Sequence, residues 1–114
     1  MSKTFAICIP IVKGKEETFK SFINDLNGKH NADFKESRKK LGVRERTFHQ
    51  VTPMGEMVIV TLEGENPADA FAKFAAANDE FTNWFKGKVM DIHNIDLASP
   101  PGGPMPVLIV DSAV

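Results

Sequence analysis

Few side chains in this sequence can do acid–base or nucleophilic chemistry: there are three His, one Cys and no Tyr. A His side chain can act as a general base near neutral pH or donate a hydrogen bond to a carbonyl or carboxylate. His93 lies close to the single Trp, Trp84, on one apolar segment, while His30 and His49 precede it in the chain. Cys8 stands among aliphatic residues with no base beside it, so we interpret it as a small apolar side chain. The candidate site must therefore be built from the His residues and Trp84.

A helix through residues 79–93 would place Trp84 and His93 near opposite edges of one apolar stripe. The centre of that stripe consists of Phe81, Phe85, Val89 and Ile92. Two interpretations are open. In the first, Trp84 packs at a rim and His93 adds a favourable positive charge at the helix C-terminus. In the second, both line a pocket between helix and sheet, with His93 as a catalytic base and Trp84, Phe81 and Phe85 in contact with a ligand.

The other two His have alternative roles as well. His49 shares a strand face with Glu45, Thr47 and Val51. If that face meets the helices, His49 points into the pocket and is a second catalytic candidate. If it meets another subunit, His49 is an interface residue. His30 lies close to the apolar stripe of an earlier helix, where it either packs or contacts a ligand.

Several classes of site are excluded by the pattern of the residues. No His-x-x-x-His or Glu-x-x-x-His pair stands on a helix, and no Gly-rich phosphate loop, nucleophile elbow or dinucleotide fingerprint occurs. The formal net charge is −1, which gives no basic surplus for holding nucleic acid. Arg44 and Arg46 are expected to pair with Glu56 or Glu63, or else to anchor an acidic ligand, and residues 38–40 read as a solvated helix end. We expect no metal, no cofactor and no nucleic-acid partner.

The periodicity of apolar residues predicts the elements that position these side chains. The predicted strands and helices are a strand at 4–12, a helix at 15–41 that Gly28 kinks or divides, strands at 43–52 and 57–63, helices at 67–77 and 79–93, and a buried strand at 107–111. Asn66 and Asp79 are suited to cap the last two helices, and Leu41-Gly42 to end the first helical region. Pro10 favours a strand end or a sheet edge.

This order is βαββαβ, which predicts one α+β domain over residues 1–114 with the ferredoxin-like fold. Such a fold has a four-stranded antiparallel sheet with helices on one face. Three of the predicted strands are apolar on both alternations, so the face without helices must also be covered. A second copy of the same sheet is the simplest cover, and we expect a homodimer formed through the sheet faces.

Two stretches strengthen this interpretation: SRKKLGVRERTFHQVTPMGEMVIVTLE at 37–63 and NDEFTNWFKGKVMDIHNIDL at 78–97. They resemble an uncharacterised bacterial family of the dimeric α/β barrel superfamily. The resemblance implies a pocket between the sheet and the helices of each subunit. The superfamily includes cofactor-independent monooxygenases, haem-degrading enzymes, lactone isomerases and polyketide cyclases. The haem-degrading members carry an Asn on the first strand; FAICIPIV has none, so that residue set is not carried over.

Two hypotheses of function follow. Nine Phe and five Met indicate an adaptable apolar pocket for a hydrophobic molecule, such as an acyl chain, a polyketide or a quinone-like aromatic. A His base would make this protein a cofactor-free oxygenase, isomerase or cyclase. The alternative is a non-catalytic binding or stress-related dimer without a specific site. The apolar N-terminal run is too short for a membrane span and lacks a secretory cleavage pattern. We therefore expect a cytoplasmic protein that does not associate with membranes.

Overall fold

The computed structural model describes residues 2–97 and 106–113. These residues form an α+β fold. Its elements are β1 (Lys3–Pro10), α1 (Glu16–Asn27), α2 (Asn31–Leu41), β2 (Val43–Thr52), β3 (Gly55–Gly64), α3 (Pro67–Ala76) and α4 (Glu80–His93). The order of the elements up to α4 is as predicted. No helix within the described ranges combines the length and the apolar character that crossing a bilayer requires.

The three strands form one antiparallel sheet in the order β1-β3-β2. β2 and β3 make the predicted hairpin, whose last pair is Thr52 opposite Gly55. β1 pairs with the other side of β3 and ends with Pro10 opposite Met57. β1 is thus an edge strand and Pro10 its last residue, as expected for a residue that has no N–H to donate.

Gly28 divides the predicted helix 15–41 into two helices. α1 ends at Asn27 and α2 begins at Asn31. A Cβ atom at position 28 would lie 2.9 Å from the backbone oxygen of Asn24, so the close approach of the chain favours Gly there. Gly42 ends α2 in the left-handed conformation, with φ of 72°, which Gly adopts without strain. Of the two alternatives for Gly28, a break is therefore correct.

The starts of α3 and α4 are fixed by the caps that the sequence predicts. Asn66 accepts a hydrogen bond from the backbone N–H of Asp69 at 3.1 Å. Asp79 accepts one from the backbone N–H of Thr82, also at 3.1 Å. Each cap satisfies an N–H that the first helical turn leaves without a partner.

One face of the sheet lies under the helices and forms the core. Val58 of β3 is buried there in one cluster with Phe22, Phe74 and Phe85 of the helices, and Leu62 of the same strand is also buried. Ile92 of α4 is fully buried, with 0% exposure. The core therefore lies between the sheet and the helical layer, as predicted.

No described helix or strand packs on the other face of the sheet. The register places Cys8, Ile59 and Phe48 in one row across it, and Phe48 is 52% exposed. Farther from the hairpin turn, this face of the sheet carries charged side chains. Arg46 pairs there with Glu63 at 3.1 Å, one of the ion pairs expected across the hairpin. This face is apolar at the end nearest the hairpin turn and polar at the other.

The fourth strand predicted at 107–111 is wrong. Residues 106–111 belong to no helix or strand, and Val107, Leu108, Ile109 and Val110 are between 70% and 88% exposed. The composition of this segment is typical of a strand, but composition does not supply a neighbouring strand with which to pair. The described elements form an α+β fold that is roughly ferredoxin-like in element order but has three strands in place of four.

Candidate functional site

A cavity of about 80 Å³ lies between the sheet and the helices. Alternate residues of all three strands and residues of all four helices line it, so it is the interior space of the fold. Most of the lining is aliphatic or aromatic, including Phe85, which we predicted to contact a ligand. The polar side chains in the wall are Arg38, Glu45, Thr47 and His93.

Arg38 and Glu45 form a buried ion pair in the cavity wall. Nε of Arg38 donates to Oε1 of Glu45 at 2.8 Å, and each side chain is only 8% exposed. A terminal nitrogen of Arg38 donates to Oγ of Ser37 at 2.9 Å. The hydroxyl of Thr47 lies 3.4 Å from Oε2 of Glu45. These hydrogen bonds use two of the five N–H donors of the guanidinium group, so it keeps N–H groups with which to bind a further acceptor.

Three Phe rings surround this guanidinium. Its central carbon lies 4.8 Å from the ring centre of Phe34, 4.6 Å from that of Phe74 and 4.8 Å from that of Phe85. The rings come from α2, α3 and α4 and attract the cation through their negative faces. Together with the low exposure of the Arg38 side chain, they place the cation in an apolar, largely buried environment.

His93 is buried and bound to the backbone. Its Nδ1 lies 2.8 Å from the carbonyl oxygen of Pro10; since a carbonyl can only accept, Nδ1 carries the proton. Burial lowers the pKa of His93, and the bond to Pro10 offsets this in part. Burial therefore favours the neutral form of the ring, in which Nε2 is the acceptor. His93 lies in the last turn of α4, and its ring packs against Phe19 inside the fold.

A second space, a groove of about 210 Å³ between α1 and β2, is lined by His49, Thr47, Phe19, Lys20, Ile23 and Asn24. His49 lies on the helix side of β2, with its ring centre 5.1 Å from that of Phe19. Of the two alternatives for His49, the pocket side is therefore correct. Nε2 of His49 lies 2.6 Å from Oε1 of Glu56, and these side chains are 33% and 22% exposed.

The groove and the core cavity are neighbours. Phe19, Ile23 and Thr47 line both, so these side chains separate the two spaces. His93 lies on the cavity side and His49 on the groove side of Phe19, and both rings contact it. The two catalytic candidates therefore stand on opposite sides of one Phe.

His30, Trp84 and Phe81 pack against one another away from both spaces. The ring centres of His30 and Trp84 are 4.1 Å apart, and those of His30 and Phe81 are 6.2 Å apart. Nδ1 of His30 is buried without a hydrogen bond; it lies 3.6 Å from Oδ2 of Asp33, a charge contact too long to be a hydrogen bond. None of the three lines the cavity or the groove, so Trp84 and His93 share neither of these two spaces.

The sequence interpretation missed Arg38, Glu45 and Glu56. It treated residues 38–40 as a solvated helix end, but Arg38 is buried. A signal was present: position 38 lies four residues after Phe34 and three before Leu41, on the apolar stripe of the helix. Glu45 likewise alternates with the inward-facing Val43 and Thr47.

Within residues 2–97 and 106–113, no three His, Cys, Asp or Glu side chains come together as a group that could hold a metal ion. Comparison of the chain with protein-family models, with curated proteins and with solved structures gave no match. The candidate site therefore rests on its own geometry: an apolar cavity with one buried ion pair, beside an open groove with one His–Glu pair.

Proposed function

We propose that this protein binds a hydrophobic small molecule that carries a neutral acceptor oxygen, with its apolar part in the core cavity. The observation that carries the proposal is the buried Arg38–Glu45 pair in an otherwise apolar wall. A buried ion pair contributes little to stability compared with apolar residues of the same volume, so its presence is better explained by a binding role.

The charge of the wall selects the kind of oxygen. Arg38 and Glu45 together are neutral, both side chains are only 8% exposed, and three Phe rings lie around the guanidinium. A carboxylate ligand would add an unpaired negative charge to this low-dielectric space, which is unfavourable. A ketone, ester or quinone oxygen can instead accept a hydrogen bond from the edge of Arg38 and adds no charge. Polyketides and quinone-like aromatics carry such groups.

The size of the spaces fits a ligand that occupies both. The cavity of about 80 Å³ holds only a small apolar part of a ligand, and the groove of about 210 Å³ extends it towards the surface. Phe19 lies between them and is 4% exposed. A rotation of the Phe19 side chain would join the two spaces, so a longer ligand would reach from Arg38 to His49.

Proton transfer by His49 is a second candidate function, supported by its contact with Glu56. When Nε2 donates to the carboxylate, Nδ1 is left with a lone pair that can accept a proton. A carboxylate that orients an imidazole is a common arrangement in acid–base catalysis. A ligand whose carbonyl binds Arg38 and whose acidic C–H lies in the groove would be a substrate for isomerisation or cyclisation.

We also propose that the molecule is a homodimer in which the outer faces of two sheets meet. The apolar row that contains Phe48, Ile59 and Cys8 supports this, because soluble monomers seldom expose a large continuous apolar patch. Phe48→Glu should convert the dimer to a monomer in sedimentation experiments. Val51→Glu, a change at a side chain that is 70% exposed but on the other side of β2, is the matched control. Dimerisation unaffected by Phe48→Glu would contradict this interface. A cytoplasmic location remains a prediction from the sequence.

Binding is tested with cyclohexanone, methylcyclohexane and cyclohexanecarboxylate as probes that differ in the polar group. The signal to follow in NMR spectra is the Nε–H of Arg38. We expect the ketone to shift this signal saturably and at lower concentration than the hydrocarbon or the carboxylate does. Equal binding of all three probes, or of none, would contradict the proposal.

Two variants test whether the ketone probe binds in the core cavity. Ala70→Leu adds volume to a cavity-lining residue of α3 that is 2% exposed, whereas Ala72→Leu makes the same change on the exposed side of the helix. The first should weaken ketone binding and the second should not. Amide spectra of both variants check that each is folded. Unchanged binding by a folded Ala70→Leu variant would place the ligand elsewhere.

A further inference from the structure

The C-terminal segment, residues 107–110, has the properties of a strand that lacks its neighbour. Its sequence is Val-Leu-Ile-Val, and its four side chains are 78%, 70%, 88% and 78% exposed. Three of the four are β-branched, a type that favours strands, and four exposed aliphatic side chains in succession are unfavourable in water. Because both alternations are apolar, the segment suits a position that is covered on both faces.

The free edge of β1 offers such a position. β1 pairs with β3 on one side only, and within the described residues no strand lies on its other side. Ile7 and Ile9 of β1 face the helices and line the cavity. Ala6 and Cys8 face the outer side. A strand added at this edge would therefore have apolar neighbours on both faces.

The opposite edge of the sheet does not match. Its strand, β2, carries Arg44 and Arg46 on the outer face and Glu45, Thr47 and His49 towards the helices. An aliphatic strand at this edge would place its side chains beside charged groups. The chemistry of the two edges thus selects β1 as the receiving strand.

The connection between α4 and residues 107–110 is longer than it needs to be for this segment to pair with β1 of the same chain. α4 ends beside the end of β1, since the N–H of Val12 donates to the carbonyl of Ile92 at 2.9 Å and His93 binds the carbonyl of Pro10. A strand that paired antiparallel with its own β1 would start here, after a connection of about 2–6 residues. Residues 94–106 separate α4 from the segment instead.

We propose that residues 107–110 pair with β1 of a second copy of this chain, and that the partner's segment pairs with β1 of the first. Such reciprocal exchange of an identical element is a common route to dimers. It supplies each sheet with the fourth strand that a single chain lacks. It also places a strand of the partner next to Ile7 and Ile9, so that each subunit completes the wall of the other's cavity. The proposal rests on the homodimer proposed above but does not depend on any ligand.

Disulfide formation with the single Cys tests the exchange. One chain keeps Cys8. The second chain carries Cys8→Ser and a Cys in place of one residue of the segment, with each of Val107, Leu108, Ile109 and Val110 replaced in turn. Because alternate residues of a strand face opposite sides, some of these positions share a face with Cys8. The two chains, one of them isotope-labelled, are refolded together and oxidised, and the linked peptides are identified by mass spectrometry.

We expect a disulfide between Cys8 of one chain and the segment of the other. A matched control moves the acceptor to the other edge strand: a chain with Cys8→Ser and Gln50→Cys should not link to the segment. No link to Cys8 from any of the four positions would overturn the exchange. So would a link that forms only within one chain when a single chain carries both Cys residues.

Sedimentation of the unmodified protein separates this proposal from the dimer on which it rests. A dimer that forms no disulfide between the segment and Cys8 overturns the exchange and leaves the outer-face dimer intact. A monomer overturns both. A dimer whose segment links across chains supports both.

Discussion

Two hydrogen-bonded side-chain pairs on the same face of β2 have opposite surroundings. Glu45 binds Arg38 at 2.8 Å, with both side chains 8% exposed, whereas His49 binds Glu56 at 2.6 Å with side chains 33% and 22% exposed. The difference lies in what covers the strand. Aromatic rings from three helices enclose the first pair, while the second lies in a groove beside Phe19. In the function that we propose, the enclosed pair orients a ligand and the open pair exchanges a proton.

The largest expected effect on stability comes from removing the charge of only one partner of the Arg38–Glu45 pair. Glu45→Gln leaves the Arg38 cation buried without its partner, which should lower the free energy of unfolding by about 3–5 kcal/mol. Urea unfolding measures the loss. The double variant Arg38→Met with Glu45→Leu removes both charges and should be more stable than Glu45→Gln. A single variant that loses less than about 1 kcal/mol would mean that the pair is not enclosed.

His93, on the enclosed side, should have the next largest effect. His93→Ala leaves the carbonyl of Pro10 without its donor, a loss of about 1–3 kcal/mol. His93→Gln, which keeps an N–H donor, should lose less in the same urea experiment. Equal losses for both variants would show that the bond to Pro10 contributes nothing.

The pH dependence of stability distinguishes the contribution of His93 from that of the His49–Glu56 pair. Burial lowers the pKa of His93 from its ordinary value of 6.5, so the unfolded chain takes up this proton at higher pH than the folded one. The stabilising contribution is therefore fully present above pH 6.5 and is lost as the pH falls from there through the lower folded pKa. In the His93→Gln variant, stability should change less over this range. An equally steep decrease in that variant would assign the effect to another group.

The N-cap of α4 should have a smaller effect, because it lies at the surface. Asp79→Ala removes the acceptor for the N–H of Thr82 and should lower stability by about 1 kcal/mol. Hydrogen bonds from Thr82 lower the pKa of Asp79 below its ordinary 3.8. The contribution of the carboxylate is thus present above pH 3.8 and is lost as the pH falls through the lowered value. Asp79→Asn keeps the cap without this titration, and a large loss of stability in that variant would contradict the assignment.

The open pair should have the smallest effect on stability. Glu56→Gln removes a partly exposed hydrogen-bond partner of His49, and pairs with this exposure contribute about 0–1 kcal/mol. Urea unfolding of the variant and the unmodified protein measures the difference. A loss as large as that of Glu45→Gln would remove the distinction between the two pairs. If His49 is a base, the same variant should impair turnover far more than stability.

The fold could be predicted from the sequence up to α4 because its signals are local. The hairpin around residues 53–54, the caps at Asn66 and Asp79, and the stop at Gly42 are set by neighbouring residues in the chain. The strand at 107–111 was predicted wrongly because pairing depends on a distant strand or a second molecule. Apolar composition specifies that a segment needs cover but not what covers it.

The candidate site was predicted only in part, since convergence in space cannot be read from spacing along one helix. His49, His93 and Phe85 line the two spaces, whereas His30, Trp84 and Phe81 pack together elsewhere. Arg38 was missed because a charged residue at the end of a helix is usually solvated. Its position on the apolar stripe of α2 was the better guide, because the stripe specifies which side chains meet the sheet.

Native mass spectrometry of freshly purified protein tests the central claim most directly, because it reports the number of chains and any bound molecule together. We predict a dimer that carries an additional small mass under gentle conditions and releases a carbonyl-bearing apolar compound on denaturation. The Ala70→Leu variant should lose that mass and Ala72→Leu should keep it. A protein that carries no additional mass, or one whose bound mass is unaffected by Ala70→Leu, would contradict a ligand site in the core cavity.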